Sequence, residues 1–289
     1  MGGVQKIKAT LFLFRPDVIF LGTGLIFLAG FLANLTVWHQ ILLFITSLGI
    51  FGAANSANEY FDVELDKISR PHAQIVRGVV SGNWALYLSI SLYITTIIAF
   101  FLLFNFLAFL LAFLAVLISI AYSTPPIHLK NHSILGTLSV TMPIALLFLI
   151  AYVSGNKPIT PPITLWFVIL TLNLFTAILS KDFKDIRAER KLNVRTPVVV
   201  FNPNKLARAC VVFSIFPLLL IVLLVYLAGF SPYLLLSIPI IALLKFFPAR
   251  LLLDDPIKNG YKIFRLNMVE ATLTPYILAI TIYFGTLLI

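Results

Sequence analysis

Apolar residues fall into nine runs of about 18 to 25 positions, each long enough to cross a hydrocarbon layer roughly 30 Å thick as a helix. The runs lie at about 17–37, 41–61, 84–104, 105–122, 134–153, 162–180, 206–229, 231–249 and 270–288. The third and fourth are nearly continuous and divide around Asn105. Lipid cannot satisfy exposed backbone polar groups, so helices are expected throughout, with no open sheet. The pattern predicts an all-α, polytopic membrane protein with nine transmembrane helices.

Composition agrees with the pattern. Of 289 residues, 60% are hydrophobic and 11% charged, with a mean hydropathy of +1.03. Soluble domains carry roughly 25% charged residues, so a soluble fold is excluded. The net charge of +10 raises nucleic acid as a partner, but the bases collect at the ends of apolar runs and are assigned to the bilayer edge. Twenty of the 21 Lys and Arg residues fall on one predicted side, and Lys157 alone on the other. The positive-inside rule then makes the N-terminus cytoplasmic in a cell membrane. One cysteine, Cys210, gives no internal disulfide, and no Cys/His spacing suggests zinc.

Acidic residues carry the chemistry. Four of the eleven stand in the stretch NEYFDVELD, Asn58 to Asp66, at the end of the second run. On a helix, Asn55, Asn58, Asp62 and Asp66 share one face. Three more, Asp182, Asp185 and Glu189, form a second stripe after the sixth run. Carboxylates crowded at a partly desolvated helix end repel one another, and a divalent cation reverses that penalty. All-oxygen ligands suit magnesium, which is commonly held by carboxylates plus substrate phosphates. Two separate clusters suggest two ions clamping one diphosphate. Lys181, Arg70 and Arg77 lie beside the stripes and suit phosphate oxygens. The stretch YSTPPIHLK places Tyr122 and Lys130 at the same surface, because Pro125-Pro126 ends the fourth helix. An offset of 123 residues maps Asp62 onto Asp185, Asp66 onto Glu189 and Pro125 onto Pro248. This suggests one domain over 1–289, with a four-helix pseudo-repeat at about 17–130 and 134–250 and a ninth helix appended.

These motifs resemble the UbiA superfamily of intramembrane prenyltransferases. NEYFDVELDKISRP is similar to its Asn-x-x-x-Asp-x-x-x-Asp signature, and KDFKDIRAERKLNVRT resembles its second acidic motif. YSTPPIHLK and Arg15-Pro16 resemble two further stretches, all four in the family's order. The resemblance implies nine helices around a central cavity, two Mg2+ ions, and a polyprenyl diphosphate, geranylgeranyl-type included, whose tail lies in a lipid-facing groove. By position, Asn58, Asp62 and Asp66 would hold one ion, and Asp182, Asp185 and Glu189 the other. Arg15, Arg70, Arg77, Tyr122, Lys130 and Lys181 would contact the diphosphate or cover it as it leaves, with Asp62, Asp185, Lys130 and Tyr122 central to catalysis. Glu189 departs from the usual Asp, Asn193 from a usual Gly, and the loop HAQIVRG from the common DRPIPSG. The implied reaction is prenyl transfer to a lipophilic acceptor: a quinone precursor, a geranylgeranylglyceryl phosphate or a tetrapyrrole. The competing reading is a transporter or metal carrier, and the near absence of charge in the central thirds of the runs counts against it.

Overall fold

The computed structural model describes residues 10–14 and 16–287. Arg15, named above as a diphosphate contact, lies outside the described residues. The long helices are α1 (Pro16–Ala33), α2 (Val37–Phe61), α4 (Gly82–Leu103), α5 (Phe106–Ser123), α6 (Ile134–Ser154) and α7 (Pro161–Leu179). After them come α10 (Pro203–Phe213), α11 (Phe216–Ala228), α12 (Ser237–Asp254) and α13 (Gly260–Leu287). Three short helices connect them: α3 (Val63–Ser69), α8 (Ile186–Lys191) and α9 (Pro197–Val200). Among the described residues there is no strand. Among the same residues, eight helical segments are long and apolar enough to cross a membrane, and Ile19–Ala33 is a shorter apolar helix beside them.

Local chemistry sets the ends. Thr36 and Ser81 accept bonds from His39 N and Trp84 N, both at 3.3 Å, and so cap α2 and α4. Asn105 does divide α4 from α5: its side chain accepts from Ala108 N at 2.9 Å and caps α5. Pro161 and Pro203 sit in first turns, where the missing N–H has no partner to lose. Gly229, at φ +67°, ends α11 in the left-handed conformation that glycine takes without strain.

The helices form a closed ring. α2 packs on α4 and α5, α5 on α6, α6 on α7 and α1, and α7 on α11, while α12 and α13 complete the circuit against α1. α6 is the most enclosed, with every residue from Ile144 to Ser154 buried. The core runs through Leu25, Leu28, Leu43, Phe148, Ile150 and Trp166. Outward faces carry Leu102, Phe101, Leu227 and Leu243, all exposed, as lipid contact requires.

The last two helices differ from the expected spans. α12 continues to Asp254 and α13 starts at Gly260, so most of the expected connection between 249 and 270 is helical. Lys245 and Glu270 therefore lie inside spanning segments rather than at their edges. They neutralise each other: Nζ stands 3.0 Å from Glu270 Oε1 and donates to Asn173 Oδ1 at 2.5 Å. Thr274 donates to the same Glu270 oxygen at 2.9 Å. The near absence of charge expected in the central thirds of the spans fails here, because a hydropathy scale counts each charge separately and misses their pairing.

Candidate functional site

The two acidic stripes meet at one end of the ring. α2 passes into α3 with only a slight break at Asp62, where the backbone bonds continue from Asp62 N to Asn58 O and from Asp66 N to Asp62 O. Asn55, Asn58, Asp62 and Asp66 thus keep to one face and line a cavity of about 1330 Å³, a volume that includes its open mouth. Asp185, Glu189, Lys181 and Lys184 line the same cavity, and α3 packs on α8. Lys130 and Tyr122 close the polar end. Deeper in, the walls turn apolar, with Ile50 and Phe51 on α2 and Val140, Pro143, Ile144 and Leu147 on α6, while Phe264 and Met268 of α13 add an apolar side that begins beside Lys184.

Within the polar end, each acidic wall carries its own bases. Lys130 Nζ donates to Asp62 Oδ2 at 2.5 Å, with both side chains buried. Arg70 grips Asp66 with a two-pronged fork, Nε to Oδ1 at 2.9 Å and Nη2 to Oδ2 at 2.5 Å, and lies 3.7 Å from Glu59. Lys181 pairs with Asp182 at 2.5 Å, and Lys184 pairs with Asp185 while lying over the Phe264 ring. Burial alone would lower the Lys130 pKa, but Tyr122 and Asp62 outweigh it and hold the ammonium charged above its ordinary value. Burial pushes the Glu189 carboxyl up, the nearby Asp182 charge adds to this, and the pKa reaches about 8 despite Lys181 and a 2.5 Å bond from Thr196.

The second stripe is not the continuous helix that the sequence suggests. Ser180 to Lys184 form a 3-10 turn, which has three residues per turn in place of 3.6, and the chain re-enters a helix only after Asp185. Asp182 is consequently buried against Lys181 and does not line the cavity, whereas Lys184 does. The turn is held from outside: a Cβ on Gly260 would come within 2.7 Å of Lys184 N and 2.8 Å of the Phe183 carbonyl carbon. Asn267 on α13 adds a 2.6 Å bond to Ser180. Arg77 is exposed and stands outside the cavity wall, as do the other residues of the His72–Gly78 loop. Lys184, Ser119 and Ser139 line the site although nothing in their local sequence marks them.

Among the described residues, no three His, Cys, Asp or Glu side chains stand close enough to form a ready-made metal cage. The donor chemistry nevertheless fits magnesium. The lining carboxylates and the Asn55 and Asn58 amides are hard oxygen donors in two groups, and Mg2+ commonly takes one or two carboxylates and draws further ligands from phosphate and water.

Comparison with known proteins gives this arrangement a context. Bacteriochlorophyll synthase 33 kDa chain from Rhodobacter capsulatus is 27% identical over 76% of each chain. A digeranylgeranylglyceryl phosphate synthase from Methanosphaera stadtmanae is 29% identical over 62% of this chain and 64% of its own. The fold matches the structure of a UbiA homolog from Archaeoglobus fulgidus bound to GPP and Mg2+, with TM-score 0.66 and 18% identity over 96% and 98% of the two chains. The family model of the UbiA prenyltransferase family covers residues 18–269, which takes in both acidic stripes and every wall of the cavity. An all-helical membrane protein with this cavity and that match, the chain belongs to the UbiA prenyltransferase family.

Proposed function

We propose that the chain transfers a prenyl group from a polyprenyl diphosphate to a lipophilic acceptor, in a cell membrane and with its polar mouth toward the cytoplasm. The observation that carries this is one cavity with an acid-and-base end and an apolar end. A prenyl diphosphate has the same two halves.

Asn58, Asp62 and Asp66 would hold one Mg2+, and Asp185 with Glu189 the other. Bound there, the ions would supply positive charge that screens the carboxylates and favours the departing diphosphate. Lys130, Lys181, Lys184 and Arg70 lie at the same end and donate to the diphosphate oxygens, with Tyr122 within electrostatic reach of both Lys130 and Lys181. Charge develops on the oxygens as the C1–O bond breaks, and its electron pair leaves with the diphosphate. The allylic carbon is left cationic between apolar walls that exclude water, which would otherwise capture it. The acceptor's nucleophilic atom then bonds to that carbon, and its proton passes to solvent through the mouth. No side chain of the chain becomes covalently attached.

The relatives' names include a tetrapyrrole synthase and glyceryl phosphate synthases, so both acceptor classes enter the test. Membranes containing the protein are given a labelled prenyl diphosphate, Mg2+ and a panel of tetrapyrrole, quinone-precursor and glyceryl phosphate acceptors, and the products are weighed by mass spectrometry. One acceptor class should gain the label. Asp62→Ala and Asp185→Ala should each lower turnover by about a hundredfold or more, the scale of losing one electrostatic stabiliser. Full turnover in both variants would refute the clamp.

A further inference from the structure

A short stretch of chain just beyond α8 touches both halves of the site. α8 ends at Lys191, and Asn193, at φ +55°, reverses the chain in the left-handed conformation that Asn tolerates better than most side chains. Asn193 N reaches Arg190 O at 3.4 Å and Val194 N reaches Glu189 O at 2.9 Å, the paired bonds of a Schellman end. The reversal brings Thr196 back to α8, where its hydroxyl donates to Glu189 Oε2 at 2.5 Å, with both residues buried. Pro197 is buried next, and Val198 packs in one core cluster with Phe183 and Ile186.

The turn that carries Lys130 is fastened to the same stretch. It is bracketed by His128 at φ +40° and Ser133 at φ +47°, values that non-glycine residues keep only where their surroundings enforce them. α6 supplies part of that enforcement, since a Cβ on Gly136 would stand 3.0 Å from the carbonyl oxygens of Leu129 and Lys130. Arg195 supplies another part, because Ser133 N donates to its carbonyl oxygen at 2.8 Å. One carbonyl thus holds the turn that sets Lys130 on Asp62, and the next residue's hydroxyl holds Glu189. The Arg195 carbonyl and the Thr196 Cα belong to one planar peptide unit, so a movement at either contact is carried to the other.

We infer that Val194 to Thr196 form a strap that positions the two acidic halves of the site against each other, with Thr196 as the positioning residue. The strap's purpose, a fixed span for one diphosphate, rests on the prenyl-transfer reading. Its geometry does not, and the two are tested apart.

The test is hydrogen–deuterium exchange at the Ser133 amide in the Mg2+-free protein, run beside kcat for prenyl transfer. In the wild type this amide should be protected. Thr196→Val keeps the side chain's shape and removes its hydroxyl; it should speed Ser133 exchange by about fivefold, the worth of one hydrogen bond, and lower kcat. Thr196→Ser should restore both. Arg195→Ala removes an exposed side chain and keeps the carbonyl, so it should match the wild type in both. A Ser133 amide that exchanges freely in the wild type would overturn the strap with no variant needed, which keeps the test decisive if Thr196→Val does not fold. Unchanged Ser133 exchange in a folded Thr196→Val protein would overturn it too, while leaving prenyl transfer intact. A protected amide in a wild type that transfers no prenyl group would overturn the strap's purpose together with the function.

Discussion

The Lys245–Glu270 pair inside the spans lends itself to a quantitative test. At 3.0 Å the two charges attract by about 5.5 kcal/mol for an effective dielectric near 20. Both side chains are buried, so desolvation consumes much of this attraction, and the pair adds little compared with two apolar residues of the same shape. Breaking the pair is another matter. Lys245→Met leaves Glu270 buried with Thr274 as its remaining hydrogen-bond donor, which should cost about 3–5 kcal/mol. Lys245→Met combined with Glu270→Met removes both charges and should recover most of that, less about 1–3 kcal/mol for the orphaned Asn173 oxygen. The assay is equilibrium unfolding by denaturant in mixed micelles, run on the wild type, both single variants and the double. A coupling energy of several kcal/mol is expected. Single variants that each lose less than about 1 kcal/mol, or losses that simply add in the double, would refute the reasoning.

Other consequences follow from the same geometry. Gly260→Ala places a Cβ against the backbone of Phe183 and Lys184, atoms that cannot rotate aside, so α13 must retreat from the turn that presents Lys184 and Asp185. It should cost about 1–3 kcal/mol of stability and lower kcat/KM; unchanged steady-state kinetics would refute the link between α13 and the site. Glu189, whose pKa burial and the Asp182 charge raise to about 8, favours its protonated form at neutral pH, and a Mg2+ held there would have to displace that proton. Its folded pKa lies above the unfolded value, so this proton stabilises the fold at low pH and ceases to do so as pH rises through about 8. Mg2+ affinity, read by calorimetry, should therefore climb up to about pH 8 and level off, and a flat profile would contradict the assignment. Thr196→Val removes the 2.5 Å bond that favours the charged Glu189, so the climb should move to higher pH.

How much of this could be read in the sequence differs between the two halves of the site. The first stripe was legible because α2 and α3 keep helical register through Asp62, so spacing alone gives the face. The Pro125-Pro126 stop likewise pointed to Lys130, which the fold sets against Asp62. The second stripe was only partly legible. Its register is broken by a 3-10 turn that depends on Gly260 and Asn267, residues of a distant helix. A helical wheel therefore brings Asp182 to the cavity and overlooks Lys184. The connection expected between 249 and 270 was misjudged for a related reason. Lys245 belongs in a span only because Glu270 and Asn173 are there to meet it, and such pairing is a property of the assembled ring.

The ion pairs at the cavity mouth bear on how the site fills. Among the described residues, four acids and four bases line it, so their charges nearly cancel and most of its donors and acceptors already occupy one another. A cation arriving alone would have to pull Asp62 from Lys130 and Asp66 from Arg70, stranding the bases. A diphosphate arriving alone would strand the acids. Each ligand supplies the partner that the other evicts, so the two enter as an exchange of partners, with each tightening the hold on the other. A site whose charges are latched to one another in this way would hold a lone phosphate or a free cation more weakly than it holds the two together.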